Sequence, residues 1–263
     1  MIREGTCTTV ALYHLDNEVI DIRGLFNFCE KWMLNLGYMP KRGSADGEKI
    51  NATKTWTFKY AKQFLEKREF KKITGFWFSA YSTDEWDSDM LDPILSVELD
   101  TDNSGLFVLY FHNQIIPFKK EYVERLICEL MKDSKANYGI VFQRDFSKGP
   151  GLYAAGIATG LDDRIKEQRE EEEKTAKWWR EYTFSDSKYK LGQLRDIYPM
   201  NLLSEAHLKE SVFGKTLQEW IESSPKHGEL KPLTDILWEW WIPEEKIASV
   251  REALLPTGLV ICI

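Results

Sequence analysis

Residues 82–102, STDEWDSDMLDPILSVELDTD, hold eight carboxylates (Asp84, Glu85, Asp87, Asp89, Asp92, Glu98, Asp100 and Asp102) and no lysine or arginine. Such a stretch could bind a cation, supply an acid–base pair, or recognise a basic surface. A calcium loop needs oxygens at alternate positions, a central glycine and a distant bidentate glutamate. Asp87-x-Asp89 begins that pattern, but no glycine follows. Asp100 and Asp102 fall at an expected hairpin end, where aspartate is ordinary turn chemistry. Glu98 alternates with Val97 and Leu99 and is expected to face solvent. The segment DEWDSDMLD (84–92) is different, because five carboxylates surround Trp86 and Met90 in a loop between strands. Charge steers an encounter and tryptophan supplies buried area. Asp84, Glu85, Trp86, Asp87, Asp89 and Asp92 are therefore the expected contacts for a basic protein partner. The competing reading is a solvated loop with Trp86 folded inward.

Other candidate chemistries are weaker. The Gly-rich run GPGLYAAGIATGL (149–161) places Ile157 and Ala158 after Gly156, where a P-loop needs lysine and a hydroxyl. Close backbone packing or a turn is the expected use of these glycines. His14, His112, His207 and His227 show neither HxxxH nor HExxH spacing, and no cysteine pair completes a zinc set. Glu244-Glu245-Lys246 matches a nuclease-like acid-x-lysine triplet only within the first turn of an expected helix. There is no GxSxG, and Cys128 falls on the apolar stripe of its helix, where burial suppresses thiol reactivity. No cofactor is implied. An enzyme, if there is one, would be a metal-dependent hydrolase built around Glu98, Asp100 and His112.

The composition is that of a globular protein, with 43% hydrophobic and 13% aromatic residues. A net charge of −7 opposes unspecific binding to nucleic acid or an anionic membrane and favours cationic partners. No apolar run is long enough to span a bilayer, and the first residues lack a signal-peptide pattern. Cys7, Cys29, Cys128 and Cys262 are scattered without CxxC spacing. Buried thiols in a reducing compartment follow, so a cytoplasmic location is expected.

Elements that could position these residues come from periodicity. TTVALYHL (8–15), ITGFWFSAYS (73–82), PILSVELD (93–100), GLFVLYFH (105–112) and YGIVFQRD (138–145) read as strands. Segments 24–37 and 120–133 carry apolar stripes at helical spacing, and a helix is expected around YAKQFLEKREF inside the basic segment 41–72. This order predicts an α+β fold, an antiparallel or mixed sheet with helices packed on one face. Residues 162–182 form a charged helix with Ile165, Ala176 and Trp179 on a narrow face and Trp178 pointing elsewhere. That helix is a boundary or a projecting arm between a sheet domain (1–161) and a C-terminal α/β portion (183–263), the latter either a second domain or part of the same one. Within the latter, LRDIYP (194–199) and ILWEWWI (236–242) read as strands. The helix after Pro243 and the run LVICI complete a C-terminal β-α-β segment.

YGIVFQRD, GPGLYAAGIATGL, LGQLRDIYPMNLLSEAHL and TLQEWI resemble segments of an uncharacterised bacterial family over residues 138–263. In size, acidity and architecture the chain also resembles immunity proteins that neutralise polymorphic or type VI secreted toxins. The second resemblance implies a cytoplasmic protein that occludes a basic toxin domain. A component of a bacterial defence system acting through protein contacts is the further alternative.

Overall fold

The computed structural model describes residues 5–15, 19–50, 54–81, 93–102, 105–157, 170, 173–179, 181 and 192–262. The chain divides into two units, Met1–Ala136 with Gln143–Gly151, and Asn137–Phe142 with Leu152–Ile263. The fold is α+β.

In the first unit the strands are β1 (Thr6–Tyr13), β2 (Arg42–Gly47), β3 (Trp56–Thr57), β4 (Ile73–Ala80), β5 (Leu95–Asp100) and β6 (Leu106–His112). They lie in the order β1-β6-β5-β4-β2-β3, every neighbouring pair antiparallel. Alternation sends Phe76, Phe78, Val97, Leu99, Phe107, Leu109 and Phe111 to one face, where all are buried. Three helices cover that face: α1 (Ile22–Asn35), α2 (Phe58–Lys67) and α3 (Lys120–Ser134). Phe26 of α1 is the hub, with its ring 5.9 Å from Phe58, 5.2 Å from Phe76 and 5.0 Å from Phe78. Trp32 Nε1 donates to Tyr122 Oη at 2.8 Å and ties α1 to α3. Among the described residues, no helix is long and apolar enough to cross a membrane.

Strand β2, RGSADG, has no apolar signature. Its inward residues are Gly43 and Ala45, both small, and at Gly43 the neighbouring strand β4 leaves no room for a side chain. A Cβ on Gly43 would sit 2.7 Å from Trp77 O, 3.1 Å from Phe78 Cβ and 3.6 Å from Ala61 Cβ of α2.

The second unit contains residues 138–142 of β7 (Tyr138–Asp145), then β8 (Met200–Leu203), β9 (Ser211–Val212), β10 (Lys215–Thr216), β11 (Glu229–Pro232) and β12 (Trp238–Trp241). Strands β11-β12-β8-β7 form an antiparallel sheet, and β9 with β10 a separate hairpin. The strand expected over 194–199 lies instead at β8, directly after Pro199. Helices in this unit include α4 (Pro150–Ala154), which begins in the first unit, α5 (Glu205–Leu208), α6 (Leu217–Glu222) and α7 (Glu244–Leu254). Helix α7 starts after Pro243 with Glu244 and Glu245 in its first turn, as the helix dipole favours. Val260 then makes a parallel bridge to Leu194.

Candidate functional site

Asp84, Glu85, Trp86, Asp87, Asp89 and Asp92 lie outside the described residues. The acids that follow them are on β5, and the register shows what they meet. Asp46 of β2 pairs with Gly75 of β4, and Gly75 pairs with Asp100 of β5. One step along, Ser44, Trp77 and Glu98 align in the same way. Directly paired residues project to the same side of a sheet, and so do residues two apart on one strand. Asp46, Glu98 and Asp100 therefore share the face opposite the helices. Gly75 puts no side chain between Asp46 and Asp100, and a Cβ there would stand 2.5 Å from Leu99 O and 3.4 Å from Asp46 Oδ2. Asp102 follows Asp100, whose Oδ1 accepts the Asp102 N–H at 3.2 Å.

These carboxylates repel one another. Asp46 is raised above the usual carboxylate range by burial and then by repulsion from Asp100 and Asp102. Glu98 is raised by desolvation and then by Asp100 and Asp46. Glu98 as a whole residue is exposed, so repulsion from Asp100 and Asp46 is the cause that the geometry supports. Every charged neighbour that shifts these two groups is another acid. Asp46 Oδ1 is buried and has no hydrogen-bond partner among the described residues. Sequence reasoning missed Asp46 because it belongs to the basic segment 41–72. The available signal was the polar, polar alternation of Ser44 and Asp46 against small Gly43 and Ala45.

His112 does not join this group. Asp100 pairs with Leu106, the first residue of β6, and His112 is its last. At about 3.3 Å per residue, roughly 20 Å separates the two positions. The imidazole is fully buried, with its edge against Phe146 at 5.2 Å and Nδ1 accepting the Gln114 N–H at 3.2 Å. It is a core histidine. Among the described residues, no group of three or more His, Cys, Asp or Glu could hold a metal ion.

The second unit holds a different concentration of functional groups. Arg195 is 1% exposed, and its guanidinium lies 4.2 Å from the Trp178 ring and 4.5 Å from the Tyr153 ring. It donates to Ala154 O at 3.0 Å and Tyr153 O at 2.7 Å, while its backbone N–H donates to Tyr138 Oη at 3.0 Å. Gly156, at φ +78°, presses on Trp178 so closely that a Cβ would stand 2.4 Å from Cζ3. Three segments singled out in the sequence thus meet here: YGIVFQRD, the Gly-rich run and LRDIYP. The expected role of that run as close packing is realised at Gly156.

The helix expected over 162–182 needs one correction. Its described residues 173–179 are helical, but Thr175 and Trp178 are the buried pair, while Ala176 and Trp179 are exposed. A cation under Trp178 draws that indole inward by a force that apolar counting does not register.

The Arg195 cluster has little to offer as a reactive site. Tyr153 and Tyr198 hydroxyls stand 3.1 Å apart, and burial raises both phenols. Burial pushes the Cys262 thiol up to about 12, which removes the thiolate a nucleophile needs. Asp196 is held by Arg251, Nε to Oδ1 at 2.6 Å. The cluster is a clamp.

No known protein family profile matches the sequence, and no curated protein matches it either. The fold is similar to that of the Pseudomonas aeruginosa T6SS protein PA0821, with a TM-score of 0.55 at 11% identity, covering 97% of this chain and 73% of that one. At such identity the likeness shows a shared fold.

Proposed function

We propose that this chain is a protein-binding protein that recognises a basic partner through the acidic face of its first unit, as an immunity protein occluding a basic toxin domain. The observation that carries the reading is the row Asp46, Gly75, Asp100 with Glu98 beside it, a set of mutually repelling acids on the sheet face away from the helices. A basic surface placed there would relieve that repulsion, and its charge would steer the encounter. The fold shared with a T6SS protein supports the same context. The loop acids Asp84, Glu85, Asp87, Asp89 and Asp92, with Trp86, are proposed as a second part of the contact, and the location as cytoplasmic.

Binding kinetics test this at two salt concentrations, with purified basic toxin domains as probes and a basic protein of unrelated fold as the control. Asp46→Asn with Glu98→Gln should slow association and flatten its salt dependence with little change in dissociation. Asp87→Asn with Asp89→Asn should act likewise, and Trp86→Ala should speed dissociation. Association rates unchanged in both charge variants would sink the proposal.

A further inference from the structure

Helix α2 buries Phe58, Ala61 and Leu65 and leaves Trp56, Tyr60, Phe64 and Arg68 in a row at the surface. A spacing of four residues stacks these side chains along one side of the helix, starting from the edge strand β3. The Trp56 ring lies 5.3 Å from Tyr60 and 5.0 Å from Phe64, and the Arg68 guanidinium sits 4.7 Å from the Phe64 ring. Tyr60 is 54% exposed, while Trp56 and Phe64 are half-buried. Tryptophan, tyrosine, phenylalanine and arginine are the residue types that gather at the centres of protein interfaces.

The row is rigidly held from beneath. Phe58 packs its ring 5.9 Å from Phe26 and 5.1 Å from Phe78. Thr57 Oγ1 caps the helix by accepting the Tyr60 N–H at 3.3 Å, and Arg68 donates to Glu48 O at 3.2 Å. A surface ordered in advance loses little entropy on binding.

Charge indicates what covers it. The acids of this segment have lysine partners: Glu48 meets Lys72 at 2.6 Å, Glu66 meets Lys62 at 4.0 Å, and Glu69 meets Lys71. Lys54, Lys59 and Lys67 are exposed, and none has an ion-pair partner among the described residues. The aromatic row thus carries surplus positive charge on a chain whose net charge is −7. We infer that this row is a docking site for an acidic segment of another protein, one that also carries apolar side chains. The inference does not depend on the acidic face, which lies on the other side of the sheet from α2. Single-stranded nucleic acid fits less well, because it needs open ring faces on which bases stack. Here Trp56 meets Tyr60 at 75° and Phe64 at 51°, and Arg68 covers Phe64. A long polyanion also meets the repulsion of the whole chain. An anionic membrane meets the same repulsion, and a narrow row with two half-buried rings offers it little to insert.

Binding of the full chain to a glutamate–tyrosine copolymer tests this at two salt concentrations. Polyglutamate of equal length, a short oligothymidylate and phosphatidylserine vesicles are the comparisons. The copolymer should bind more tightly than polyglutamate, because only the copolymer supplies rings to the row. Lys59→Glu with Lys67→Glu should weaken copolymer binding by about tenfold or more at low salt, and by less at high salt. Tyr60→Ala should weaken it by about tenfold or more. That variant should leave polyglutamate binding and the melting temperature close to wild type, since Tyr60 is outside the core. Copolymer binding no tighter than that of polyglutamate overturns the proposal, as does copolymer binding unchanged in either variant. Tighter binding of the oligothymidylate or the vesicles, lost in Tyr60→Ala, would assign the row to nucleic acid or a membrane and overturn it equally. Self-association of wild type in sedimentation, abolished by Lys59→Glu with Lys67→Glu, would assign the row to a second copy of this chain and also overturn it.

Discussion

The guanidinium of Arg195 lies 4.2 Å from the Trp178 ring, and the ring in turn fills the space left by Gly156. Three residues far apart in sequence thereby fix one point of the second unit. A fully buried tryptophan replaced by alanine typically costs about 3–5 kcal/mol, and Trp178→Ala should fall in that range. Arg195→Lys keeps the charge but loses the planar fork that reaches both Ala154 O and Tyr153 O. Each hydrogen bond to a charged group is worth about 1.5–3 kcal/mol, so this variant should lose at least about 2 kcal/mol. Urea denaturation of both variants measures the losses. A change below about 1 kcal/mol in Trp178→Ala would show that the clamp is not structural.

Gly156 and Gly258 separate two causes of glycine dependence. Both are left-handed, at φ +78° and +74°, but a Cβ at Gly258 would meet nothing within 4 Å. Gly258→Ala should therefore cost only backbone strain, about 1–2 kcal/mol. Gly156→Ala adds a collision with the Trp178 ring and should cost clearly more. Equal losses in thermal or urea melts would mean that Trp178 moves aside freely.

Thiol labelling provides a map of burial. Cys7, Cys29 and Cys262 are buried, while Cys128 is partly exposed. Burial raises the Cys29 thiol well above its ordinary value, with Asp133 adding repulsion. Labelling of the native protein with an aromatic disulfide reagent should modify Cys128 first, and Cys128→Ala should abolish the fast phase. Rapid labelling of Cys262 would contradict its thiol sitting near 12.

The acidic face makes a signed prediction about pH. Asp46 and Glu98 are raised in the folded state. The folded state thus binds protons at a pH where the unfolded chain has released them, and stability falls as pH rises through that window. Asp46→Asn and Glu98→Gln should be at least as stable as wild type at neutral pH. Their advantage should vanish as pH falls into the ordinary carboxylate range. A loss of stability at neutral pH in either variant would mean that its carboxylate is favourably paired.

Long apolar periodicities were legible before any coordinates: β4, β5, β6, α1 and α3 follow directly from alternation or helical stripes. What escaped had other physical origins. Strand β2 carries only Gly43 and Ala45 inward, and at Gly43 a Cβ would already stand 2.7 Å from Trp77 O of β4, so its inward face is silent in hydrophobicity. Trp178 is pulled inward by Arg195, a long-range contact between a ring and a cation. The acidic face needed Asp46 from a basic segment, and only strand register brings it beside Asp100. Glu98 and Asp100 themselves were visible as acids in the stretch 82–102.

His207 gives the opposite pH dependence and tests the second unit by itself. It is buried at 2% exposure, its ring stacked 5.0 Å from Tyr138. Its Nδ1 lies 2.8 Å from Ser204 Oγ and accepts the Ser204 N–H at 3.3 Å, closing the cap of α5. Burial lowers the imidazole from 6.5 to about 4. Above pH 6.5 both folded and unfolded forms are neutral. Below it the unfolded chain takes up a proton that the folded state refuses, so stability falls as pH drops from 6.5 toward about 4. At about 1.4 kcal/mol per pH unit the loss amounts to roughly 3 kcal/mol. Protonation would also fill Nδ1 and break the cap. His207→Gln keeps an acceptor at the third helical position, where glutamine is a native capping-box residue, but it cannot titrate. The variant should be less stable at neutral pH for want of the Tyr138 stack, and its stability should change less with pH between 6.5 and 4. Urea melts at half-unit steps across that window measure both slopes. Parallel curves for wild type and His207→Gln would show that the imidazole finds a way to protonate in place, and that the second unit is looser around α5 than its burial implies.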